Sequence, residues 1–371
     1  MTTAKGAVLP KASNMGWEVQ ELEWDEPRDD EVGVRVVACG LCHSDWHCAN
    51  GEFPIEKFPM LSGHEGTGIV EKVGKDVKRV KVGDKIVMSW IPSCGHCPSC
   101  VSGHGELCDR FATGLKGSRD DGTYRIRDKE GREVGQAAFL GALSEYVVIH
   151  EDACIPVDQD LDLLKIPIVG CRIPTGWGAV VNNAKATQGC TALVVGLGGV
   201  GFNVIQGLKS VGAVVIIAAD IHDKKKWAME WGATHYIDAS NQDVVNEVMK
   251  ITGIGVDYAF DAIGKGEVQS QCVEACHKMG KAVWIGIAPF SQKTVALNAW
   301  VVSQFQKHIS GSCYGGASPF EMVPQLIKMY RAGKIKFDEL ITKYYKLEQI
   351  NEACADMVAG KIICGCIRMD Q

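Results

Sequence analysis

The chain has 371 residues, 46% of them hydrophobic and 23% charged, and carries a net charge of −6. That length predicts two or three domains with ample core. The charge gives no reason to expect nucleic acid or an anionic membrane as a partner. No apolar run approaches the roughly 18 residues of a membrane span. Residues 1–10 lack the charged-then-apolar pattern of an export signal, so a cytoplasmic protein is expected. Sixteen cysteines in a reducing compartment are expected as metal ligands and small buried hydrophobes, not as disulfides.

Residues 1 to about 170 have a β-rich pattern. Val32, Val34 and Val36 alternate with polar residues, as in a half-buried strand. Residues 68–73, the turn Gly74-Lys75-Asp76 and residues 82–88 follow as strand, turn, strand. Residues 111–138 are polar and rich in turn formers, which predicts a surface excursion or small hairpin and a candidate partner contact. From about 172 to 313 strands and helical segments alternate. Residues 256–261, 281–287 and 309–314 are expected as strands and 267–279 as a helix. The pattern implies a parallel, doubly wound sheet with helices on both faces. The tail adds helices at 319–332 and 348–359 and a strand at 362–368. It is expected to rejoin the first region, so that a dinucleotide domain (173–313) is inserted into a first domain of 1–172 plus 314–371.

The inserted region is organised around Gly196-Leu197-Gly198-Gly199-Val200-Gly201. An apolar run, 191–195, precedes it. Val200, Val204, Leu208 and Val211 follow at helical spacing, and a second apolar run ends at Asp220. Gly196 permits the tight turn, Gly198 lets backbone approach a pyrophosphate, and Gly201 lets helix pack on strand. The helix N-terminus offers N–H groups to the phosphates. Asp220 stands where an acid accepts hydrogen bonds from the adenosine ribose, and its charge opposes a 2′-phosphate. NAD(H) is therefore expected over NADP(H), although His222 and Lys224 to Lys226 are basic neighbours.

Two metal patterns precede this region. Cys94, Cys97, Cys100 and Cys108 are four thiols within fifteen residues. Such spacings close a tetrahedron around a structural Zn²⁺. An iron–sulfur cluster begins with the same spacing, but its bacterial form places the fourth Cys closer and follows it with Pro. The second pattern is dispersed. Cys42, His64 in Gly63-His64-Glu65, and Cys171 each sit at an edge of predicted regular structure. Together they would hold zinc with a fourth position open.

These motifs, in this order and with Thr175-Gly176 and Gly315-Gly316, resemble the zinc-dependent medium-chain alcohol dehydrogenases along essentially the whole chain. The resemblance implies a GroES-like β-rich catalytic domain with an inserted Rossmann domain, an α/β protein that uses NAD and two zinc ions per chain. It implies the family's known catalytic zinc set at Cys42, His64 and Cys171, with a structural zinc at the four-Cys lobe. It further implies that Asp45 orients His64, that Glu65 supports the metal, that Ser44 accepts the substrate proton and that His47 passes it to solvent. Cofactor contacts are implied at His43, Thr175, Gly196, Gly198, Gly199, Val200, Gly201, Asp220, Lys225, Ile263, Ile287 and Arg368. Phe53, Trp90 and Leu140 would line a substrate funnel, where the bulk of Trp90 favours primary alcohols, aliphatic or aromatic.

His43 stands where many members carry Arg, and Arg172 where Gly is usual. Residues 91–95, 111–138 and 346–351 are similar to the bacterial nicotinoprotein branch, which retains NAD(H) and passes electrons to an external acceptor such as a nitrosoaniline dye. The same parts also run an aldehyde or enal reductase. A homodimer or homotetramer is implied, with an alcohol or aldehyde as the small-molecule substrate.

Overall fold

The computed structural model describes residues 1–12, 16–114 and 116–369 and divides the chain into two units. One comprises Met1–Cys171 with Ser318–Gln371, the other Arg172–Ala317.

The first unit begins with β1 (Thr2–Leu9), β2 (Glu18–Trp24), β3 (Glu31–Leu41), β4 (Met60–Leu61), β5 (Glu65–Val73), β6 (Lys85–Met88), β7 (Ile126–Asp128), β8 (Glu133–Gln136), β9 (Tyr146–His150) and β10 (Cys154–Val157). Alternation explains β3. Val32, Val34 and Val36 are buried, while Arg35 between them is exposed and pairs with Glu71 at 3.0 Å across the sheet. Both edges of β3 are used, by β5 and by β9, each antiparallel. Among the described residues β1, β2, β7, β8 and β4 close a barrel in that order.

The barrel corrects one expectation. Residues 111–138 do contain a hairpin, β7 against β8, but it is part of the barrel wall and not a surface excursion. Two arginines of the segment turn inward. Arg119 and Arg125, each 6% exposed, both donate to Glu31, 2% exposed, at 3.1 and 2.8 Å. Gln136 accepts from Arg125 and donates to the carbonyls of Leu140 and Val148. The polar composition was hiding a buried, mutually satisfied network.

The second unit is a parallel sheet of β11 (Thr191–Val195), β12 (Val215–Asp220), β13 (His235–Asp238), β14 (Val256–Asp261), β15 (Cys276–Trp284) and β16 (His308–Gly311). The order is β13-β12-β11-β14-β15-β16, with the chain reversing direction of travel beside β11. Such a switch point opens a crevice at the carboxyl ends of the strands. The helix expected at 267–279 spans Gly266–Ala275, and β15 starts directly after it. Met279 has φ +65, which the interior of a right-handed helix does not accommodate.

The chain returns to the first unit with helices Pro319–Arg331 and Ile350–Val358 and with strands β17 (Ile341–Lys346) and β18 (Cys364–Arg368). β18 pairs antiparallel with the end of β3, directly before the first candidate metal ligand. No helix among the described residues is long and apolar enough to cross a membrane.

Candidate metal centres and dinucleotide cradle

β3 delivers Cys42 to the start of helix α1 (His43–Ala49), where it is the N-cap in extended conformation. Asp45, third in the helix, is buried and accepts a hydrogen bond from Cys42 N–H at 3.0 Å. Its other oxygen accepts from Gly63 N–H at 3.1 Å and meets His64 Nδ1 at 3.3 Å. One carboxylate thus ties together two stretches that carry metal-ligand residues. Gly63 adopts φ +96, and a Cβ there would stand 2.3 Å from Leu143 N, so glycine is required at this turn into β5. Gly40 likewise leaves room for a neighbour: a Cβ there would fall 2.2 Å from Glu65 Oε2. Cys171 follows the single turn Pro167–Gly170.

These elements bring Cys42, His64, Glu65 and Cys171 together. Their ligand-type atoms all lie within 4.8 Å of one another, and all four residues are buried. His64 Nδ1 is committed to Asp45, while Nε2 is buried and has no hydrogen-bond partner. An unpaired buried nitrogen costs roughly 1–3 kcal/mol unless something fills its lone pair. Two thiols and an imidazole are a borderline-soft donor set that suits zinc and leaves a position open. The residues therefore fit the ion.

The second cluster fits as well. Cys94 and Cys100 sulfurs are 4.0 Å apart and those of Cys97 and Cys108 3.9 Å. A zinc tetrahedron with ~2.3 Å Zn–S bonds has edges of about 3.8 Å. None of the sixteen cysteines is in a disulfide. Backbone N–H groups of Asp109 and Cys100 donate to Cys97 Sγ at 3.4 Å each and lower its pKa to about 6. Burial pushes Cys100 up to about 12. The loop thus prepares at least one thiolate in advance.

Around the buried cluster, the Ser44 hydroxyl lies 3.7 Å from Cys42 Sγ. Trp90 meets the His64 ring edge-on at 6.5 Å, and Phe111, which the sequence reading passed over, meets Trp90 at 5.0 Å. Phe53 and Trp90 pack partly buried against the core cluster that contains the fully buried Leu140. His47 pairs through Nδ1 with Glu52, another residue the motif reading did not single out.

In the second unit, β11 leads through the glycine turn into helix α2 (Gly199–Val211). Gly196 has φ +94, and a Cβ on Gly201 would stand 1.8 Å from Gly196 O. A Cβ on Gly198 would meet nothing within 4 Å, which leaves that side open to a ligand. Asp220 closes β12 and accepts from Leu197 N–H at 2.6 Å and His222 N–H at 2.8 Å. Lys224 is buried beside it. Its Nζ donates to Leu197 O at 2.9 Å and lies 3.6 Å from Asp220. Lys225 is exposed at the start of the next helix.

Thr175 Oγ1 is buried without a hydrogen-bond partner. Ile263 and Ile287 are 39% and 44% exposed, and both adjoin Gly264, whose Cβ would stand 2.4 Å from Ile287 O. An open glycine turn, an orphaned hydroxyl and two exposed isoleucines fit a dinucleotide with a planar ring. His43 and Arg368 belong to the first unit, where both are exposed.

The comparisons agree with this geometry. The alcohol dehydrogenase GroES-like domain matches residues 28–159 and the zinc-binding dehydrogenase domain residues 199–332. An NDMA-dependent alcohol dehydrogenase of Amycolatopsis methanolica is 38% identical over 367 residues, 98% of each chain. An alcohol dehydrogenase zinc-binding domain protein from Burkholderia ambifaria has a TM-score of 0.93 at 33% identity, covering 100% of both chains. Benzyl alcohol dehydrogenase from Acinetobacter calcoaceticus has a TM-score of 0.93 at 30% identity, again over 100% of both. The chain belongs to the zinc-dependent medium-chain alcohol dehydrogenase family, enzymes that use zinc and NAD in alcohol and aldehyde oxidoreduction.

Proposed function

We propose that the enzyme oxidises primary alcohols reversibly to aldehydes, with Cys42, His64 and Cys171 holding the catalytic zinc and Cys94, Cys97, Cys100 and Cys108 the structural one. The observation that carries this reading is the buried grouping of Cys42, His64, Glu65 and Cys171, with His64 already oriented by Asp45. Bound there, zinc would supply Lewis acidity, and NAD, held by the glycine turn and Asp220 of the second unit, would supply the hydride acceptor.

The chain's own residues do the rest. Asp45 holds the His64 tautomer that leaves Nε2 for the metal. Ser44, beside Cys42, receives the alcohol proton, and His47 carries it onward. Trp90 and Phe111 form an aromatic wall that favours an unbranched or benzylic carbinol over a bulky secondary one. Asp220 sets the preference for NAD over NADP. That none of the sixteen cysteines is in a disulfide supports a reducing, cytoplasmic compartment.

The 38% identity to an NDMA-dependent enzyme over 98% of each chain favours a second reading, in which NAD(H) stays bound and an external acceptor takes the electrons. Denaturing the purified protein and measuring NAD(H) released per chain separates the two. Near zero, with NAD⁺ reduced by a primary alcohol, is the expected result for free exchange. Near one per chain, with turnover only through a dye acceptor, establishes the second reading. No turnover of any alcohol or aldehyde under either condition rejects both.

A further inference from the structure

Helix α1 ends in a turn that folds the chain back over its own last residues. Asn50 follows the last helical residue and Gly51 takes φ +73. Gly51 N–H then donates to Cys48 O at 3.3 Å, and Glu52 N–H to His47 O at 2.9 Å. These two bonds are the Schellman pattern. The turn sets Glu52 beside His47, and Glu52 Oε2 pairs with His47 Nδ1. The two side chains are only 15% and 20% exposed. Asn50 Nδ2 donates to the other carboxylate oxygen at 2.5 Å. The rings of Trp46 and Phe53 lie 5.6 and 5.7 Å from the imidazole. The carboxylate and the two rings together fix the position of the imidazole.

An ionised carboxylate only accepts hydrogen bonds, so Nδ1 carries the proton and Nε2 keeps its lone pair. We propose that Glu52 is the positioning residue of the proton relay. It holds His47 in the Nδ1–H tautomer, leaves Nε2 as the proton acceptor, and stabilises the imidazolium formed when that proton arrives. In the step itself an O–H bond reaching Nε2 breaks, its electron pair stays on oxygen, and an N–H bond forms at Nε2. The Nδ1–H bond remains intact and continues to donate to Glu52. The proton then leaves Nε2 to solvent and restores the starting tautomer. A carboxylate behind an imidazole acts in the same way in hydrolytic triads. The inference rests on the reading of His47 as the relay residue.

The test compares His47→Ala, Glu52→Ala, the double variant and Glu52→Asp, all zinc-loaded and assayed with a primary alcohol. His47→Ala and Glu52→Ala are each expected to lower kcat by about tenfold or more, with KM within about twofold. The double variant is expected to be no slower than His47→Ala alone. Glu52→Asp is expected to recover to within about threefold of the parent. Long-range ¹H–¹⁵N spectra of histidine-labelled enzyme, with the His47 signal assigned by its loss in His47→Ala, are expected to show the Nδ1–H tautomer in the parent and its loss in Glu52→Ala.

An unimpaired Glu52→Ala beside a slow His47→Ala overturns the role of Glu52 and leaves the relay reading intact. Further slowing by Glu52→Ala when His47 is already absent overturns it too, as does an Nε2–H signal in the parent. An unimpaired His47→Ala removes the relay reading and this inference with it.

Discussion

Asp45 accepts hydrogen bonds from Cys42 N–H and Gly63 N–H and meets His64 Nδ1, so its charge acts on ligand position and helix start together. Asp45→Asn is expected to weaken zinc at the buried cluster by about 10–100-fold and to cost about 1 kcal/mol of stability, because one amide oxygen replaces the two carboxylate oxygens that accept from Cys42 N–H and Gly63 N–H. Chelator competition that returns the parent affinity would contradict this role. At this scale the sequence was informative unevenly. The four-Cys lobe is legible because its ligands are close together. Cys171 lies far from Cys42 and His64 in the chain, so only resemblance to a family marked it. Glu52 was missed because residues five apart face each other only when a positive-φ glycine reverses the chain between them. Gly51 directly after a helix, with an acid next to it, was the available signal.

The hairpin of β7 and β8 shows what an element can conceal. Residues 111–138 look solvated by composition, yet the segment closes a barrel and seals it with Arg119 and Arg125 on Glu31. Their partner is 88 and 94 residues away, beyond any local pattern. Glu31→Gln leaves two buried guanidinium groups short of one negative charge, and about 3–5 kcal/mol of stability is expected to go with it. Burial alone raises the Glu31 pKa. Arg125, the Arg28 N–H and Arg119 outweigh burial and hold the pKa below the usual carboxylate value. A carboxylate depressed in the folded state contributes stability above its unfolded pKa of about 4.3 and loses it as pH falls through the folded value. Urea titrations of parent and Glu31→Gln are therefore expected to differ most near pH 7 and to converge in acid. A gap that persists unchanged to pH 3 contradicts the assignment. The strands around this hairpin were legible wherever valines alternate, as in β3. The end of the helix Gly266–Ala275 was not, because the chain turns extended at Cys276 with no glycine or proline there to mark the stop.

Across the whole molecule the chain leaves its first unit after Cys171, builds a parallel sheet for a dinucleotide, and returns at Ser318. The alternating pattern of the insert was legible because parallel strands buried on both faces are continuous apolar runs. Chemistry depends on the first unit presenting a metal with an open position. That dependence is tested most directly by zinc per chain, measured by elemental analysis after dialysis out of excess zinc, for the parent and Cys171→Ser side by side. About two is expected for the parent and about one for the variant, which retains its fold but no longer oxidises alcohol. A parent that holds only one ion, or a Cys171→Ser variant that keeps two and stays active, contradicts that dependence.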